Sequence, residues 1–395
     1  MRFNVVRAGD IAEQIRGVSY GKNDAISSSR AGYLPVLRAG NITDEGLIFN
    51  DLVFVPEGKV SEKQKIQKGD VVFAASSGSL DVVGKAAPAL VDYVGGFGAF
   101  CKVMRPNPKQ VDHAYFANFF KTTEYRRKIS TLAAGANINN LRNEHLDDML
   151  IPLPPLPEQR RIAAILDQAD VLIAKRREAL AQLDSLTQSI FVEMFGDAQT
   201  IFNKWQTKKL GEILDFLTSG SRGWAEYYSD CGALFLRIQN VCRDELRLED
   251  VAFVNAPDSA EAKRTKVQEG DVLLSITADL GRTAVIPAGL GEAHINQHLS
   301  ILRTSKVMPR YLSAFLTSPA GQREIHGRDK HGVKAGLNFE DIRSFRLPIP
   351  PEPLQCEFVQ RANFVIKQKI THQLSLAEIE CLFTSLQHRA FRGEL

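Results

Sequence analysis

The sequence predicts a duplicated mixed α/β fold: two similar globular domains separated by two long antiparallel coiled-coil helices, related as a pseudo-two-fold internal repeat. Three observations predict it. Residue patterns of the first half return in the second at nearly constant spacing. Each copy opens with short β-type runs bounded by Gly, Asn and Asp before turning helical. Each copy then closes with a proline-rich strap and an apolar heptad stripe. The chain of 395 residues also exceeds what a single hydrophobic core usually organises, so size alone favours two domains.

The recurrence can be followed residue by residue. Leu37-Arg38, Asn41, Asp51 and Phe54-Val55 return as Leu236-Arg237, Asn240, Asp250 and Phe253-Val254. Gly69-Asp70-Val71 returns as Gly270-Asp271-Val272, and Tyr115, Phe119, Arg127, Ile129 and Leu141 as Tyr311, Phe315, Arg323, Ile325 and Leu337. The match runs on through Pro152, Pro154-Pro155 and Gln159, which pair with Pro348, Pro350-Pro351 and Gln355. A duplication by itself implies only two similar domains with a shared role; the content of each copy must say which.

Residues 1–154 read as the first globular domain, 155–204 as a central helix, 205–350 as the second domain and 351–395 as a distal helix. In the first copy the β-type runs are Tyr33 to Leu37, Leu52 to Val55 and Val71 to Ala75. Helix-like stretches follow, Tyr115 to Ile129 and Tyr311 to Ile325, and then loops from Gly135 to Asn140 and from His331 to Gly336. The straps Ile151-Pro-Leu-Pro-Pro-Leu-Pro157 and Leu347-Pro-Ile-Pro-Pro-Glu-Pro353 predict a stiff, extended exit, because proline lacks the amide proton and constrains its neighbour.

Past the first strap, Ile162, Ala169, Leu183 and Ile190 fall on one heptad position and Ile165, Leu172, Ala179 and Leu186 on the other, with Arg176 breaking the seam. In the second helix Phe358, Val365, Ile379, Leu382 and Leu386 keep the stripe while His372 interrupts it. Two such stripes predict an antiparallel pair. A helix from Glu158 to Phe195 would reach about 57 Å at about 1.5 Å per residue. That exceeds one turn of DNA, roughly 34 to 36 Å, so the pair has the reach of a spacer between two reading heads.

Bulk properties exclude several classes. With 44% hydrophobic and 24% charged residues the chain is that of an ordinary folded protein, and no apolar run would span a bilayer. The amino-terminal Met-Arg-Phe-Asn-Val-Val-Arg lacks the apolar core of a signal peptide, so a cytoplasmic location is expected. Five cysteines without a CxxC pair argue against both a zinc site and a disulfide framework. The net charge of +3 is too small to identify a nucleic-acid partner, so any DNA-binding surface must be local or shared.

The strap and helix from Ile151 through Pro157-Glu-Gln-Arg-Arg-Ile-Ala-Ala-Ile-Leu166 resemble the central conserved region of the specificity subunits of type I restriction-modification enzymes. Ala390-Phe-Arg-Gly-Glu-Leu395 resembles their distal end. Leu210-Gly-Glu-Ile213, Lys68-Gly-Asp-Val-Val72 and Glu269-Gly-Asp-Val-Leu273 are similar to their target-recognition domains. The resemblance covers nearly the whole chain, with one departure: Pro351-Glu-Pro-Leu-Gln-Cys356 stands where the first copy has Pro155-Leu-Pro-Glu-Gln-Arg160.

This resemblance implies a non-catalytic subunit that binds double-stranded DNA, each recognition domain reading half of a split target while the helices set the gap. It implies two copies of a modification subunit, which carries S-adenosylmethionine and methylates adenine, and through them a motor-nuclease restriction subunit. The chain itself is expected to hold no cofactor or metal.

Enzymatic readings fit the residues less well. Gly17-Val-Ser-Tyr-Gly21-Lys22-Asn23 has three residues between its glycines where a phosphate-binding loop has four, and Asn where it has Ser or Thr. Gly96-Phe-Gly98 lacks the third glycine of a dinucleotide fingerprint. Pro257-Asp258 with Glu261 and Lys263 has the residue types of a metal-dependent nuclease, but they lie too close in sequence for two adjacent strands, and Asp258 capping a short helix is the simpler expectation. The eight histidines show no metal-binding spacing. A nuclease, or a coiled-coil scaffold without DNA binding, remains the alternative to a DNA reader.

Phosphate contacts position a protein on DNA and base-edge contacts specify sequence. Lys121, Arg126, Arg127 and Lys128 in the first copy, and Arg323, Arg328, Lys330 and Lys334 in the second, form basic clusters at matching places. Base readers are expected on loops and from side chains with donors and acceptors. Those residues are Tyr20, Lys22, Ser76, Ser77, Asn137 and Asn139 in the first domain, and Ser221, Arg222, Trp224, Thr277, Lys334 and Asn338 in the second, with a place in the core as the alternative for Trp224.

Overall fold

A computed structural model describes residues 3–79, 81–134, 140–328 and 336–395. The chain forms two compact units, residues 1–177 with 374–395, and residues 178–373. The first unit is therefore discontinuous in sequence and the second continuous.

Both units are built on one plan. In the first, a four-stranded antiparallel sheet has the order Ala12–Arg16, Cys101–Pro106, Val71–Ala74, Ala86–Pro88. In the second the order is Phe216–Ser219, Leu299–Arg303, Val272–Ser275, Thr283–Val285. Val71–Ala74 and Val272–Ser275 are buried along their whole length, as expected of strands covered on both faces. A second sheet accompanies each, of three strands in the first unit and four in the second, where Tyr228–Ser229 is added. In one unit Tyr33–Leu37 pairs antiparallel with Val53–Pro56 and parallel with Gly96–Phe97; in the other Ala233–Leu236 pairs the same way with Ala252–Val254 and Ala293–Ile295.

The repeated Gly-Asp-Val explains itself in this frame. Gly69 and Gly270 adopt positive φ, +91° and +82°, a conformation that favours glycine. The next residue turns its carboxylate back to accept the amide of Gln67 or Gln268 and to pair with Arg105 or Arg303 on the neighbouring strand. The valine then opens the central strand.

The straps are less uniformly extended than expected. Leu150–Leu153 is a strand paired with Asn4–Arg7, and Arg346–Pro348 is paired with Thr207–Lys209. Each long helix begins inside the strap, at Leu156 and Glu352, with Pro157 and Pro353 in the first turn, where a missing amide proton costs nothing. Tyr115 donates its hydroxyl to the Pro152 carbonyl at 2.7 Å, and Tyr311 to that of Pro348 at 2.8 Å. Gln159 and Gln355 make the equivalent bonds to Pro154 and Pro350 carbonyls.

The helix-like stretches are each two helices, His113–Phe119 with Thr123–Ala134, and Pro309–Thr317 with Pro319–His326. Pro319 ends the run in the second copy, and Ser318 caps the new helix by accepting the amide of Gly321. In the first copy Thr122 competes locally, donating to the Phe119 carbonyl and accepting from the Tyr125 amide.

The long helices, Leu156–Phe195 and Glu352–Ala390, carry regular heptad stripes. One expected position is right: Ile162, Ala169, Leu183 and Ile190 are buried or half-buried. The other is displaced by one residue. Leu172, Leu186 and Leu382 are 54%, 40% and 56% exposed, and the second row is Leu166, Ile173, Leu180 and Thr187 in one helix and Ala362, Lys369, Leu376, Phe383 and Ala390 in the other. The helices pair antiparallel within each unit. In the first, Arg177 meets Glu380 at 2.7 Å; in the second, Lys369 meets Asp184 at 2.7 Å and Arg361 meets Glu193 at 4.0 Å.

Each helix ends in the hydrophobic core of a unit. Phe191 and Phe195 pack on Tyr311 and Phe358 in the second unit, and Phe391 packs on Tyr115 and Phe119 in the first. Among the described residues no helix is long and apolar enough to cross a membrane.

Candidate nucleic-acid interface

In the first unit five segments converge on one cleft of about 510 Å³, lined by residues that include Tyr20, Arg38, Asn50, Asp51, Ser76 and Phe100. Gly17 allows the approach. A Cβ there would stand 2.0 Å from the Gly98 carbonyl oxygen, so no other residue lets residues 17–20 lie against the turn at 98–101. The amides of Ala75 and Ser76 both donate to the Phe100 carbonyl, at 2.8 and 3.0 Å, and Ser76 forms a bridge with Asn140.

Arg38 donates to the backbone and side chain of Asp51, at 2.7 Å each, across the cleft wall. Buried Asn41 ties the same wall by donating to the Asn50 carbonyl. Burial pushes the Tyr20 phenol up from its ordinary value, so at neutral pH it keeps a proton to donate. The Cys101 thiol, pushed up to about 12 by burial, is inert.

The second unit repeats the convergence. A Cβ on Gly220 would stand 2.1 Å from the Asn296 carbonyl oxygen, and Ser221 bridges Asn296. The Ile276 amide donates to the His298 carbonyl at 2.9 Å, and Thr277 bridges Gly336 while its hydroxyl meets the His298 ring. Arg237, Asn240 and Asp250 repeat the wall of Arg38, Asn41 and Asp51.

The structure thus brings Tyr20 and Ser76 together in one unit, and Ser221 and Thr277 around one turn in the other. Lys22 and Arg222 stand exposed beside them, and Ser77 is half-buried, accepting from the Ser79 amide. Arg127, Lys128 and Arg323 are exposed. Asn137, Asn139, Lys330 and Lys334 lie outside the described residues.

Several expectations are corrected. Trp224 is a core side chain, 5% exposed and stacked on Phe235 with ring centroids 5.1 Å apart, so it offers no edge to a groove. Arg126 spends its guanidinium on the Val83 and Asp81 carbonyls. Arg328 is spent on Glu324 and Ser344, and Lys121 is paired with Asp170 at 2.6 Å. Asn338 caps the helix Phe339–Arg343 by accepting the Asp341 amide. Asp258 does not cap a helix; Ser259 does, and Asp258 forms an exposed pair with Lys263 at 2.8 Å.

Sequence reasoning did not single out Arg38, Asn50, Asp51 or Phe100 as part of the cleft. The recurrence of Arg38, Asn41 and Asp51 was the available signal for the wall; nothing in the sequence marked Phe100.

Residues 2–183 match the family model described as a type I restriction modification DNA specificity domain. The chain is 35% identical to the EcoKI specificity subunit of Escherichia coli K12 over 407 aligned positions, covering 96% of this chain and 86% of that protein. The chain belongs to the type I restriction enzyme specificity subunits. The StySPI specificity subunit of Salmonella potsdam is 32% identical with the same coverage.

The fold of this specificity subunit agrees with solved structures. It is similar to a type I system S subunit from M. genitalium, with a TM-score of 0.58 at 16% identity over 98% of this chain and 96% of that one. A chain from a study of assembly and conformational transition in a type I restriction-modification system gives 0.59 at 19% identity, over 100% and 98%. Specificity subunits are the non-catalytic, DNA-recognising components of type I restriction enzymes, and this chain has that role.

Proposed function

We propose that this specificity subunit reads a bipartite target in double-stranded DNA, one half-site with each unit, and directs adenine methylation and restriction by partner subunits. The duplication carries this reading: two units whose main sheets have the same strand order present equivalent turns, at residues 98–101 and 296–299, to equivalent loops. Two readers of like construction but different side chains suit a target with two unlike halves.

The partners are two copies of a modification subunit, which brings S-adenosylmethionine, and a motor-nuclease subunit that joins through them, all in the cytoplasm. Tyr20, Lys22, Ser76, Ser77, Ser221, Arg222 and Thr277 are proposed base readers; Arg127, Lys128 and Arg323 are proposed phosphate contacts. Asn137, Asn139, Lys330 and Lys334 are retained in these roles from the sequence.

The test is to exchange residues 205–350 for those of a relative, assemble the complex and sequence the methylated sites. One half of the motif should change, with the other half and the gap retained. A change in both halves would overturn the two-reader function.

A further inference from the structure

Matching backbone hydrogen bonds give Phe100 and His298 equivalent places in the two repeats. The amide of Ala75 donates to the Phe100 carbonyl, as that of Ile276 does to the His298 carbonyl. The Cys101 amide closes its turn on the Gly98 carbonyl, and the Leu299 amide on that of Asn296. Each turn is pressed from behind by the loop that Gly17 or Gly220 admits. The backbone frame recurs in both units, while the side chain at its tip differs.

In the first unit that side chain is 67% exposed, a large apolar ring on a cleft that mixes apolar Ala39 and Ile48 with polar Arg38, Asp51 and Ser76. Single exposed apolar residues are common, but this one stands among Tyr20, Arg38 and Ser76, which line the same cleft. In the second unit the ring is polar. One nitrogen of His298 meets the Thr277 hydroxyl, and the other lies 3.1 Å from the Gln297 side-chain amide. The Asn296 side chain accepts the His298 amide at 3.2 Å and holds the tip in place.

We infer that Phe100 and His298 are specificity-determining residues at the tips of the two reading turns. Phe100 contacts an apolar base edge such as the thymine methyl, and His298, held at one nitrogen by Thr277, exchanges Gln297 at the other for a hydrogen bond to a base edge. The inference rests on the two-reader function proposed above and adds residues to it. Apolar contact and hydrogen bonding are the two means by which bases are told apart in the major groove, and the duplication offers one at each tip.

The test uses the full chain assembled with its modification subunits, methylating a library of randomised duplex DNA. Phe100→His and His298→Phe exchange the tips, and Phe100→Ala removes the first. Phe100→His should alter preference at one base-pair position of one half-site by about tenfold, the scale of a single base contact. His298→Phe should do so in the other half-site, and Phe100→Ala should relax the same position that Phe100→His alters.

An unchanged motif in all three variants, whether the methylation rate is kept or falls uniformly, overturns the inference. Melting temperatures are measured alongside, and Phe100→Ala, at a solvent-facing position, keeps the test valid if His298→Phe fails to fold. The exchange of residues 205–350 is run in parallel. If it changes one half-site while the tip variants change none, the tips alone are refuted; if it alters both halves, the two-reader function falls.

Discussion

Asp70 accepts both Nε and Nη2 of Arg105, at 2.8 Å each, with its carboxylate only 1% exposed. Asp271 and Arg303 repeat the arrangement with the carboxylate fully buried. Removing one partner of a buried pair strands the other charge, which costs more than the pair contributes to stability. Asp70→Ala and Asp271→Ala should each lower unfolding free energy by about 3 kcal/mol. Urea titration checks this, and a loss below about 1 kcal/mol would show the arginine finding water instead.

The helix seam predicts a sharp contrast between two leucines of the same helix. Leu166 is fully buried in the first core, so Leu166→Ala should cost about 2 to 5 kcal/mol. Leu186 is 40% exposed, and Leu186→Ala should stay within about 0.5 kcal/mol. Equal losses in the two variants would mean that the seam runs elsewhere.

Lys102 is buried on the central sheet and donates to Asn143 at 2.7 Å. Burial lowers its ammonium from the ordinary 10.5 to about 8. Because the folded value lies below the unfolded one, the folded state sheds its proton first. Stability attributable to this residue should therefore rise as pH goes from about 8 towards 10.5. Subtracting the pH profile of Lys102→Met isolates the effect from other groups, and a flat difference would refute it.

Phe391 packs against Tyr115 at 5.1 Å and Phe119 at 5.4 Å, although it is far from both in sequence. Phe391→Ala should cost about 3 kcal/mol, and the loss should fall on the first unit. Hydrogen exchange checks this: amides of Val71–Ala74 should lose protection and those of Val272–Ser275 should keep it.

An insertion of four residues near Ala179 adds about 6 Å of helix. If the helices act as a spacer, the methylated motif should keep both half-sites while the gap between them lengthens. Altered bases at an unchanged gap would contradict that role.

Much of the fold was legible because the duplication repeats structural residues. Gly69-Asp70 and Gly270-Asp271 recur because a turn, a buried ion pair and a central strand all depend on them. Tyr115 and Tyr311 recur because each ties a helix to a strap. The second row of the seam was misplaced by one residue because Leu172 and Leu186 are apolar yet face outward, so composition pointed to the wrong face. Site residues were harder. Arg126 and Arg328 have the right chemistry for phosphate but are consumed by local carbonyls and a carboxylate, which depends on tertiary contacts absent from the sequence pattern. Trp224 went the other way: of its two expected places, base reader or core, the core claims it for its area.

The discontinuity of the first unit bears on how the protein is made. Residues 178–373 form a continuous stretch, whereas the first unit needs residues 374–395 to complete its core. Because chains are synthesised from the amino terminus, the second unit has all its residues while the first still awaits Phe391. The half that is translated first is thus the half finished last, and until then its Tyr115 and Phe119 lack their aromatic cover.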